Sequence, residues 1–305
     1  MADDIPFNRD FDIVHGLPDA VSPLVRRVVA ANPSHFTFKG TCTYIVGSGE
    51  VAVIDPGPAD EAHIAAILDA LKPGGERVTH ILVTHTHKDH SPGARLLKER
   101  TDATVYASGP HMHGPGATPS GAPALDAAGD MDFAPDVRVA HGDVVAADSF
   151  SFECVFTPGH TANHMAFALH EERALFSGDH VMGWSTSVVA PPDGNMGDYM
   201  ASLELLTQRA DRVYWPGHGG PVAEPASYVR AFIAHRRMRE AAILNRLKAG
   251  DRTIAEIVPR IYEGLPPGLA AAASLSVLAH LQDLLGRGIV ASDGPPILDA
   301  AFHLA

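Results

Sequence analysis

The chain has 305 residues, of which 46% are hydrophobic and 19% are charged, so it is globular and long enough for one large domain or for a large domain with a small one. The formal net charge of -13 argues against a surface built as a whole for nucleic acid or anionic lipid, although a local basic site is compatible with it. No apolar run in the sequence approaches the ~20 residues that span a bilayer, so we expect no interaction with membranes.

The start of the chain and the cysteines indicate the compartment. Residues 1–5 carry neither the basic segment nor the apolar segment of a secretory signal. Only Cys42 and Cys154 are present, and both stand in apolar, strand-like sequence, so we expect buried free thiols and no disulfide framework. These features predict a soluble protein of a reducing compartment, most simply the cytoplasm.

The first hundred residues alternate strand patterns with helix patterns. Two apolar runs joined by Gly47-Ser-Gly49 predict a hairpin, and apolar residues at helical spacing follow it. Ser91 and Pro92 suit the N-cap and the first position of a later helix. We expect strands at 41–46, 51–55, 81–83 and 104–107, and helices at 62–71 and from 91 to about 100.

The first candidate functional residues are His85, His87, Asp89 and His90, which follow the apolar residues 81–83. In an extended segment alternate side chains share a face, so His85 and His87 can direct their imidazoles at one point. Asp89 and His90 fall where the chain turns and can address a second point. A single histidine would be interpreted as packed or solvated, but three histidines and an aspartate within six positions predict a metal site.

Residues 108–130 are rich in Gly, Pro and Ala, which predicts a long loop or a small insertion. A loop of this size beside an active site can act as a lid. His111 and His113 lie inside it. We interpret this pair as solvent-exposed, with a metal role as the alternative.

The middle of the chain predicts a second set of strands, several of which precede a residue able to bind metal. We expect strands at 137–140, 150–156, 164–170, 174–176 and 212–215, an irregular stretch at 182–200 and a helix at 199–208. His160 and His218 each follow a strand and a Pro-Gly turn, and Asp179 follows a strand and a glycine. Loops at strand ends gather to form sites, and glycine permits the close backbone approach that converging ligands need.

From about Pro225 the chain becomes mainly helical. We expect helices at 228–248, 253–262 and 269–285 and a strand from 289. This is the element order of a winged-helix module, so we divide the chain into a domain of residues 1–225 and a smaller domain of residues 226–305. The smaller domain has nine Lys or Arg and seven Asp or Glu, a balance of +2. We interpret it as a packing or dimerisation unit, with nucleic-acid binding as the alternative.

Taken in order, seven ligand-type residues resemble the pattern of the metallo-β-lactamase superfamily, which is His-x-His-x-Asp-His followed by a distant His, an Asp and a His. These residues are His85, His87, Asp89, His90, His160, Asp179 and His218. The resemblance implies an α+β fold, a four-layer αββα sandwich, with a dinuclear metal site between its two sheets.

The resemblance also implies a division of the ligands between two divalent ions. His85, His87 and His160 would hold the first ion. Asp89, His90 and His218 would hold the second, and Asp179 would bridge them. The mixture of neutral imidazoles and carboxylates suits zinc, with iron or manganese as alternatives.

Four stretches are similar to one branch of this superfamily, the one that contains the mitochondrial β-lactamase-like endoribonuclease and its bacterial relatives. They are residues 36–47, 157–165, 176–179 and 198–203. That branch carries a C-terminal winged-helix region, which the helices after residue 228 resemble. The chain differs from the branch at Cys42, at Thr86 and in the insertion at 108–130, which are differences that bear on the substrate.

Three residues are placed closest to the chemistry: Asp89, Asp179 and His164. His164 stands four residues after His160 and is interpreted either as a group that supports a ligand or faces the substrate, or as a residue that packs at a strand end. Asp55, which ends a strand, is expected to support the ligand loop by hydrogen bonds.

These residues predict a hydrolase in which a metal-bound hydroxide attacks an ester, thioester, lactone or amide carbonyl of a small-molecule substrate. Cleavage of single-stranded RNA by the same nucleophile is the alternative, although the acidic charge and the absence of an aromatic and basic stripe argue against tight RNA binding. A non-enzymatic scaffold that binds nucleic acid or a protein would not need all seven ligand-type residues. Redox chemistry at iron ranks below hydrolysis because the second set of ligands is complete.

Overall fold

The computed structural model describes residues 5–113 and 129–305, so most of the predicted loop at 108–130 lies outside the described residues. The described chain forms two β-sheets that pack face to face, with helices on their outer faces and a mainly helical module at the C-terminal end. None of the described helices combines the length and the apolar composition that crossing a bilayer would require.

The first sheet has seven strands that lie in chain order. They are β1 (Asp19–Ala20), β2 (Val25–Val29), β3 (Cys42–Ser48), β4 (Glu50–Ile54), β5 (Arg77–Leu82), β6 (Thr104–Ala107) and β7 (Val137–Arg138). Strands β1 to β4 pair antiparallel, and β4 to β7 pair parallel. Two of the parallel connections run through α1 (Glu61–Leu71) and α2 (Gly93–Thr101), since parallel neighbours need a crossover.

The second sheet has five strands in the order β12-β11-β10-β9-β8. They are β8 (Val144–Ala147), β9 (Phe150–Phe156), β10 (Met165–Leu169), β11 (Ala174–Gly178) and β12 (Val213–Pro216). Strands β8 to β11 pair antiparallel, whereas β11 and β12 pair parallel through the crossover helix α3 (Met196–Leu206). The carboxyl ends of β11 and β12 therefore lie side by side.

Apolar side chains of both sheets form the central core. Tyr44 and Ile54 of the first sheet lie with Phe152, Phe167 and Phe176 of the second, and each is at most 2% exposed. Separate clusters join the first sheet to α1 and α2, and the second sheet to α3 and α4 (Pro225–Lys248). The order of layers is helix, sheet, sheet, helix, which confirms the predicted αββα sandwich.

The C-terminal module has a core of its own. It contains α4, α5 (Ile254–Ile261), α6 (Ala270–Gly286) and the antiparallel pair β13 (Val290–Ser292) and β14 (Phe302–Leu304). Thr253 caps α5 by a reciprocal capping box with Glu256. Helix α4 belongs to two cores, because Phe232 packs on the sandwich whereas Ile243 packs inside the module. The division at residue 225 stays a prediction.

The helix after the ligand loop differs from its prediction. Helix α2 begins at Gly93, and Ser91 does not cap it. The Ser91 hydroxyl instead donates to Asp130 Oδ2 at 2.8 Å, and the amide of Gly93 donates to the Gly57 carbonyl. The N-cap prediction for Ser91 is wrong because these two long-range contacts satisfy the groups that a cap would pair.

The missed strands lie at sheet edges or contain charged residues. Strand β1 is only two residues long and exposed. Strand β8 reads Val-Val-Ala-Ala, which is too short and too uniform to show an alternation of apolar and polar side chains. Strand β2 reads Val-Arg-Arg-Val-Val, yet Arg27 is buried with its guanidinium 4.6 Å from the ring centroid of Phe11. A buried arginine above an aromatic ring gives no periodic apolar signal.

Acid is expected to destabilise the protein through His280. This side chain is 2% exposed, and burial, followed by the charge of Arg236, lowers its pKa from 6.5 to about 3. Between these two pH values the unfolded chain binds the proton and the folded chain does not, so the free energy of unfolding falls as the pH falls, by about 1.4 kcal/mol per pH unit. Urea unfolding of His280→Leu between pH 7.5 and 4.5 is expected to show a shallower decline than the wild type.

The matched control for this experiment is His170→Leu, because the His170 side chain is 52% exposed. It should leave the pH dependence of unfolding unchanged. Parallel pH profiles for His280→Leu and the wild type would contradict the assignment.

Candidate metal centre

The seven ligand-type residues follow strands that end at one edge of the sandwich. They are His85, His87, Asp89 and His90 after β5, His160 after β9, Asp179 after β11, and His218 after β12. Backbone pairing holds these loops together: the amide of Gly217 donates to the carbonyl of Gly178 at 2.9 Å, and Thr41 forms an antiparallel bridge with His218. At Gly159 (φ +133°) a Cβ would lie 2.3 Å from the backbone of Tyr199, so only glycine lets the chain pass there.

Three imidazoles form a first triad. His87 Nδ1 lies 3.1 Å from His85 Nε2 and 3.1 Å from His160 Nε2. All three residues are at most 6% exposed. Three ring nitrogens that face one another at this distance are the arrangement that a late transition metal ion requires.

Two imidazoles and a carboxylate form a second triad. Asp89 Oδ2 lies 3.2 Å from His218 Nε2 and 3.3 Å from His90 Nε2, and the two ring nitrogens are 3.3 Å apart. His90 and His218 are at most 1% exposed. A carboxylate replaces one imidazole here, so the second triad is a harder ligand set, in the sense of hard and soft metal ligands, than the first.

Asp179 lies between the two triads. Its Oδ2 is 3.7 Å from His160 Nε2 of the first triad and 3.3 Å from His218 Nε2 of the second. Its Oδ1 is 3.5 Å from His90 Nε2. One carboxylate therefore contacts both sets of side chains, which is the position of a bridging ligand.

Asp55 fixes the orientation of two histidines, as its place at the end of β4 predicted. Its Oδ2 accepts from His90 Nδ1 at 2.9 Å and from the Thr84 hydroxyl at 2.7 Å. Because the Thr84 proton is donated to Asp55, the Thr84 oxygen accepts from His85 Nδ1 at 3.0 Å. Both imidazoles therefore carry a proton on Nδ1 and turn Nε2 toward the cluster.

Backbone carbonyls orient two further histidines in the same way. His160 Nδ1 donates to the Val188 carbonyl at 2.6 Å, and His218 Nδ1 donates to the Gly40 carbonyl at 3.3 Å. Each leaves its Nε2 facing the cluster. Such outer hydrogen bonds set the tautomer that a metal ligand needs.

The donor set of the centre fits divalent cations. Within the described residues, the buried Oδ1 atoms of Asp89 and Asp179 have no hydrogen-bond partner. Burial, together with the neighbouring histidines, lowers the pKa of His85 well below its usual value and that of His160 to about 4, so both are neutral. The neutral imidazoles of His85 and His160 and the unpartnered carboxylate oxygens are suited to bind cations.

The protonation of the second triad follows its carboxylates. Burial alone would lower the pKa of His218, but the carboxylates of Asp179 and Asp89 outweigh it and raise that pKa to about 9. Burial raises the pKa of Asp89, yet His90 and His218 outweigh this and hold it well below its usual value. A cation that binds this triad must therefore displace protons.

His164 does not face the opening of the site. It is fully buried, its Nδ1 is 2.9 Å from the Thr157 hydroxyl oxygen, and its ring is stacked on His85 with 5.3 Å between the ring centroids. The side chain has no exposed surface in this arrangement, which favours the interpretation that it supports a ligand, and its part in the chemistry stays a prediction. His164 is placed to support His85.

Sequence reasoning did not find Asp193. Its Oδ2 lies 3.8 Å from His87 Nε2, and its Oδ1 contacts His111 and His113. Asp193 stands in the irregular stretch before α3, where no periodic pattern marks a functional residue. The feature that marks Asp193 is its contact with His111 and His113, and this contact is visible only in the folded structure.

Arg236 of α4 connects the C-terminal module to the centre. It is 3% exposed, donates to the carbonyl of Ser187, and lies 5.0 Å from the ring centroid of Tyr199. The next carbonyl, that of Val188, accepts from His160. We expect Arg236→Met to lower the free energy of unfolding by about 2–3 kcal/mol, since a buried charged hydrogen bond is lost.

Urea unfolding measures this effect. The control is Arg237→Met, because the neighbouring Arg237 side chain is 66% exposed and its change should cost less than about 0.5 kcal/mol. Equal stability of the two variants would show that the Arg236 contacts do not stabilise the chain.

The fold and the centre together define a class of protein: αββα hydrolases with histidine and aspartate clusters able to bind metal at the ends of their strands. The sequence profile of the metallo-beta-lactamase superfamily matches residues 36–218, and that of the beta-lactamase associated winged helix domain matches residues 253–295. The chain therefore belongs to the metallo-β-lactamase superfamily, and the predicted winged helix is confirmed.

Curated relatives share most of the chain. The Caenorhabditis elegans protein named beta-lactamase-like protein 2 homolog is 31% identical over 279 residues, which cover 89% of this chain and 88% of the relative. The Claviceps purpurea protein named atrochrysone carboxyl ACP thioesterase is 29% identical over 258 residues, covering 81% and 75%.

Solved structures show the same fold. A beta-lactamase domain protein from Burkholderia ambifaria superposes with a TM-score of 0.79 at 21% identity, covering 97% of this chain and 96% of that one. A metallo-beta-lactamase family protein from Thermus thermophilus gives a TM-score of 0.75 at 23% identity, covering 94% and 100%.

Proposed function

We propose that this protein hydrolyses a carboxylic thioester or ester of a small molecule, with lactones and amides as related carbonyl substrates, and that it does so with two zinc ions. The observation that carries the proposal is the position of Asp179, whose carboxylate contacts both triads. His85, His87 and His160 would hold one ion, and Asp89, His90 and His218 the other. Two divalent ions, when bound, lower the pKa of water and polarise the oxygen of a carbonyl group.

The chain's own residues orient the reactants. Asp89 Oδ1 is buried and has no hydrogen-bond partner within the described residues. It can therefore accept a hydrogen bond from the attacking water and so orient a lone pair of the water oxygen toward the carbonyl carbon. Asp55 and the Val188 carbonyl keep His90 and His160 in a single tautomer and rotamer. The site is therefore organised before the substrate binds.

An aromatic wall beside His218 supports an apolar acyl group as the substrate. The ring of Phe38 stacks with that of Trp184 at a centroid distance of 4.8 Å and with that of Phe11 at 6.2 Å. Trp184 packs against Gly219, the residue after His218. Because two aromatic rings already stack with Phe38, this wall is an apolar surface for an acyl chain rather than an open platform on which a nucleobase could stack.

The thioester is placed first because the Claviceps purpurea relative is named as a thioesterase. The net charge of -13 also favours a small molecule over RNA as the partner. Cys42 and Cys154 are buried free thiols, which supports a reducing compartment such as the cytoplasm.

A substrate panel tests the proposal. Zinc-loaded protein is offered S-acyl N-acetylcysteamine thioesters, aryl esters, a lactone and a single-stranded RNA, with His218→Ala as the inactive variant and the half-exposed His170→Ala as the control. We expect thioester or ester turnover that chelation and His218→Ala abolish and that His170→Ala retains. Cleavage of the RNA without turnover of any carbonyl substrate would overturn the proposal in favour of a phosphodiesterase.

A further inference from the structure

A second group of metal-type side chains lies outside the seven residues of the centre. His113 Nδ1 is 2.9 Å from Asp193 Oδ1, and His111 Nε2 is 3.4 Å from the same oxygen. The three donor atoms all lie within 4.8 Å of one another. Two imidazole nitrogens and a carboxylate oxygen are a common set of protein ligands for zinc and similar ions.

His111 is held in place by its surroundings. Its side chain is 2% exposed, and its Nδ1 is 2.9 Å from the Thr86 hydroxyl oxygen, which also accepts from Asn163 Nδ2 at 2.9 Å. The ring packs so closely on Gly129 that a Cβ there would be 2.2 Å from it. When Nδ1 donates to Thr86, the lone pair of Nε2 points at Asp193, which is the outer hydrogen bond that metal-bound histidines make.

Asp193 supplies the negative charge. Its side chain is 19% exposed, and both carboxylate oxygens face histidines: Oδ1 faces His111 and His113, and Oδ2 faces His87. A largely buried carboxylate that stays ionised needs a positive partner. His113 itself is 51% exposed, so the third ligand lies on the solvent side of the group.

We propose that His111, His113 and Asp193 form a third metal site, which binds a divalent late transition ion such as Zn²⁺ and leaves its remaining coordination positions to water. The site is separate from the centre, which it borders through His87. Its ligands come from the segment after β6 and the segment before α3, about eighty positions apart in sequence. The ion therefore ties together two segments that flank the centre.

The competing interpretation is that Asp193 only orients His87, whose Nε2 lies 3.8 Å from Asp193 Oδ2. In that case His111 and His113 are hydrogen-bond neighbours of the carboxylate and bind no ion. The two interpretations predict different amounts of bound metal when His113 is replaced. His113 contacts Asp193 but does not belong to the His85, His87 and His160 group, so its replacement removes an ion only if the third site exists.

Equilibrium dialysis of the full-length protein against a series of buffered free Zn²⁺ concentrations tests the proposal. The bound zinc is counted by mass spectrometry for the wild type, His113→Asn, His111→Asn and the control His170→Asn. We expect the wild type to bind three ions per chain and each of the two loop variants to bind one fewer, while His170→Asn keeps the wild-type number.

The difference between the wild type and His113→Asn decides the question. If both bind the same number of ions, the third site is disproved, even if Asp193→Asn weakens binding through His87. The count also separates this proposal from the proposed function, because loss of one ion in His113→Asn does not depend on which substrate is hydrolysed. Circular dichroism of each variant, with the wild-type spectrum expected, excludes misfolding as the cause.

Discussion

Asp179→Asn is expected to lower kcat/KM for the hydrolysed carbonyl substrate by roughly 100- to 1,000-fold, the loss seen when a preorganised electrostatic group is removed. The carboxylate contacts His160 of one triad and His218 of the other, so an amide at this position removes negative charge from both. An amide nitrogen would also donate a hydrogen bond to the Nε2 lone pair of His160, which is the lone pair that a cation needs. Steady-state kinetics of the zinc-loaded protein measures the effect.

Bound zinc should report the same change independently of turnover. We expect Asp179→Asn to need a higher free Zn²⁺ concentration than the wild type to fill the centre. Asp299→Asn is the matched control, because Asp299 is exposed in the C-terminal module and far along the chain from every ligand-type residue. Full activity in Asp179→Asn would remove the basis for a shared centre.

The residues of the centre could be predicted because each one stands next to a local signal. His85 and His87 follow an apolar strand at alternate positions, and His160, Asp179 and His218 follow strand ends that contain glycine. Strand, turn and ligand are neighbours in sequence, so a single sequence is enough to find them. The structure adds that Asp179 lies between the triads.

The surroundings of the centre could not be predicted in the same way. Asp193 contacts His113 across about eighty positions, and Phe38 stacks on Trp184 across a still longer separation. No local pattern encodes such contacts, because they depend on how the two sheets and their loops pack. Strand β2 was missed for a related reason: Arg27 is charged in the sequence, but in the fold it is buried against the ring of Phe11.

The C-terminal helices illustrate how packing limits a domain boundary drawn from sequence. A change in composition near Pro225 marks the start of α4, but the helix continues without a break from the sandwich core into the core of the module. Arg236, in the middle of α4, reaches back to Ser187 beside the loop that orients His160. The module is thus in contact with the surroundings of the centre.

Gly217→Ala is expected to lower kcat/KM by about 100-fold although it removes no ligand. A Cβ at this position would lie 2.5 Å from Asp179 Oδ1 and 2.6 Å from His90 Cε1. Real Cβ atoms do not approach other atoms so closely, so both side chains must move. Displacing reacting or binding groups by about 1 Å costs on the order of 100-fold in rate. The same displacement should weaken zinc binding, which equilibrium dialysis measures.

Gly220→Ala is the control that makes this result specific to the centre. It lies three residues further along the same loop, where a Cβ would meet its nearest neighbour, Phe11 Cδ2, at an ordinary 3.8 Å. We expect near-wild-type turnover and zinc binding for Gly220→Ala. If both variants behave alike, the loop is sensitive to any added methyl group, and the contact with Asp179 and His90 is not the cause. If only Gly217→Ala fails, the close approach of backbone to ligands is itself a requirement of the centre, which explains why a glycine precedes His218.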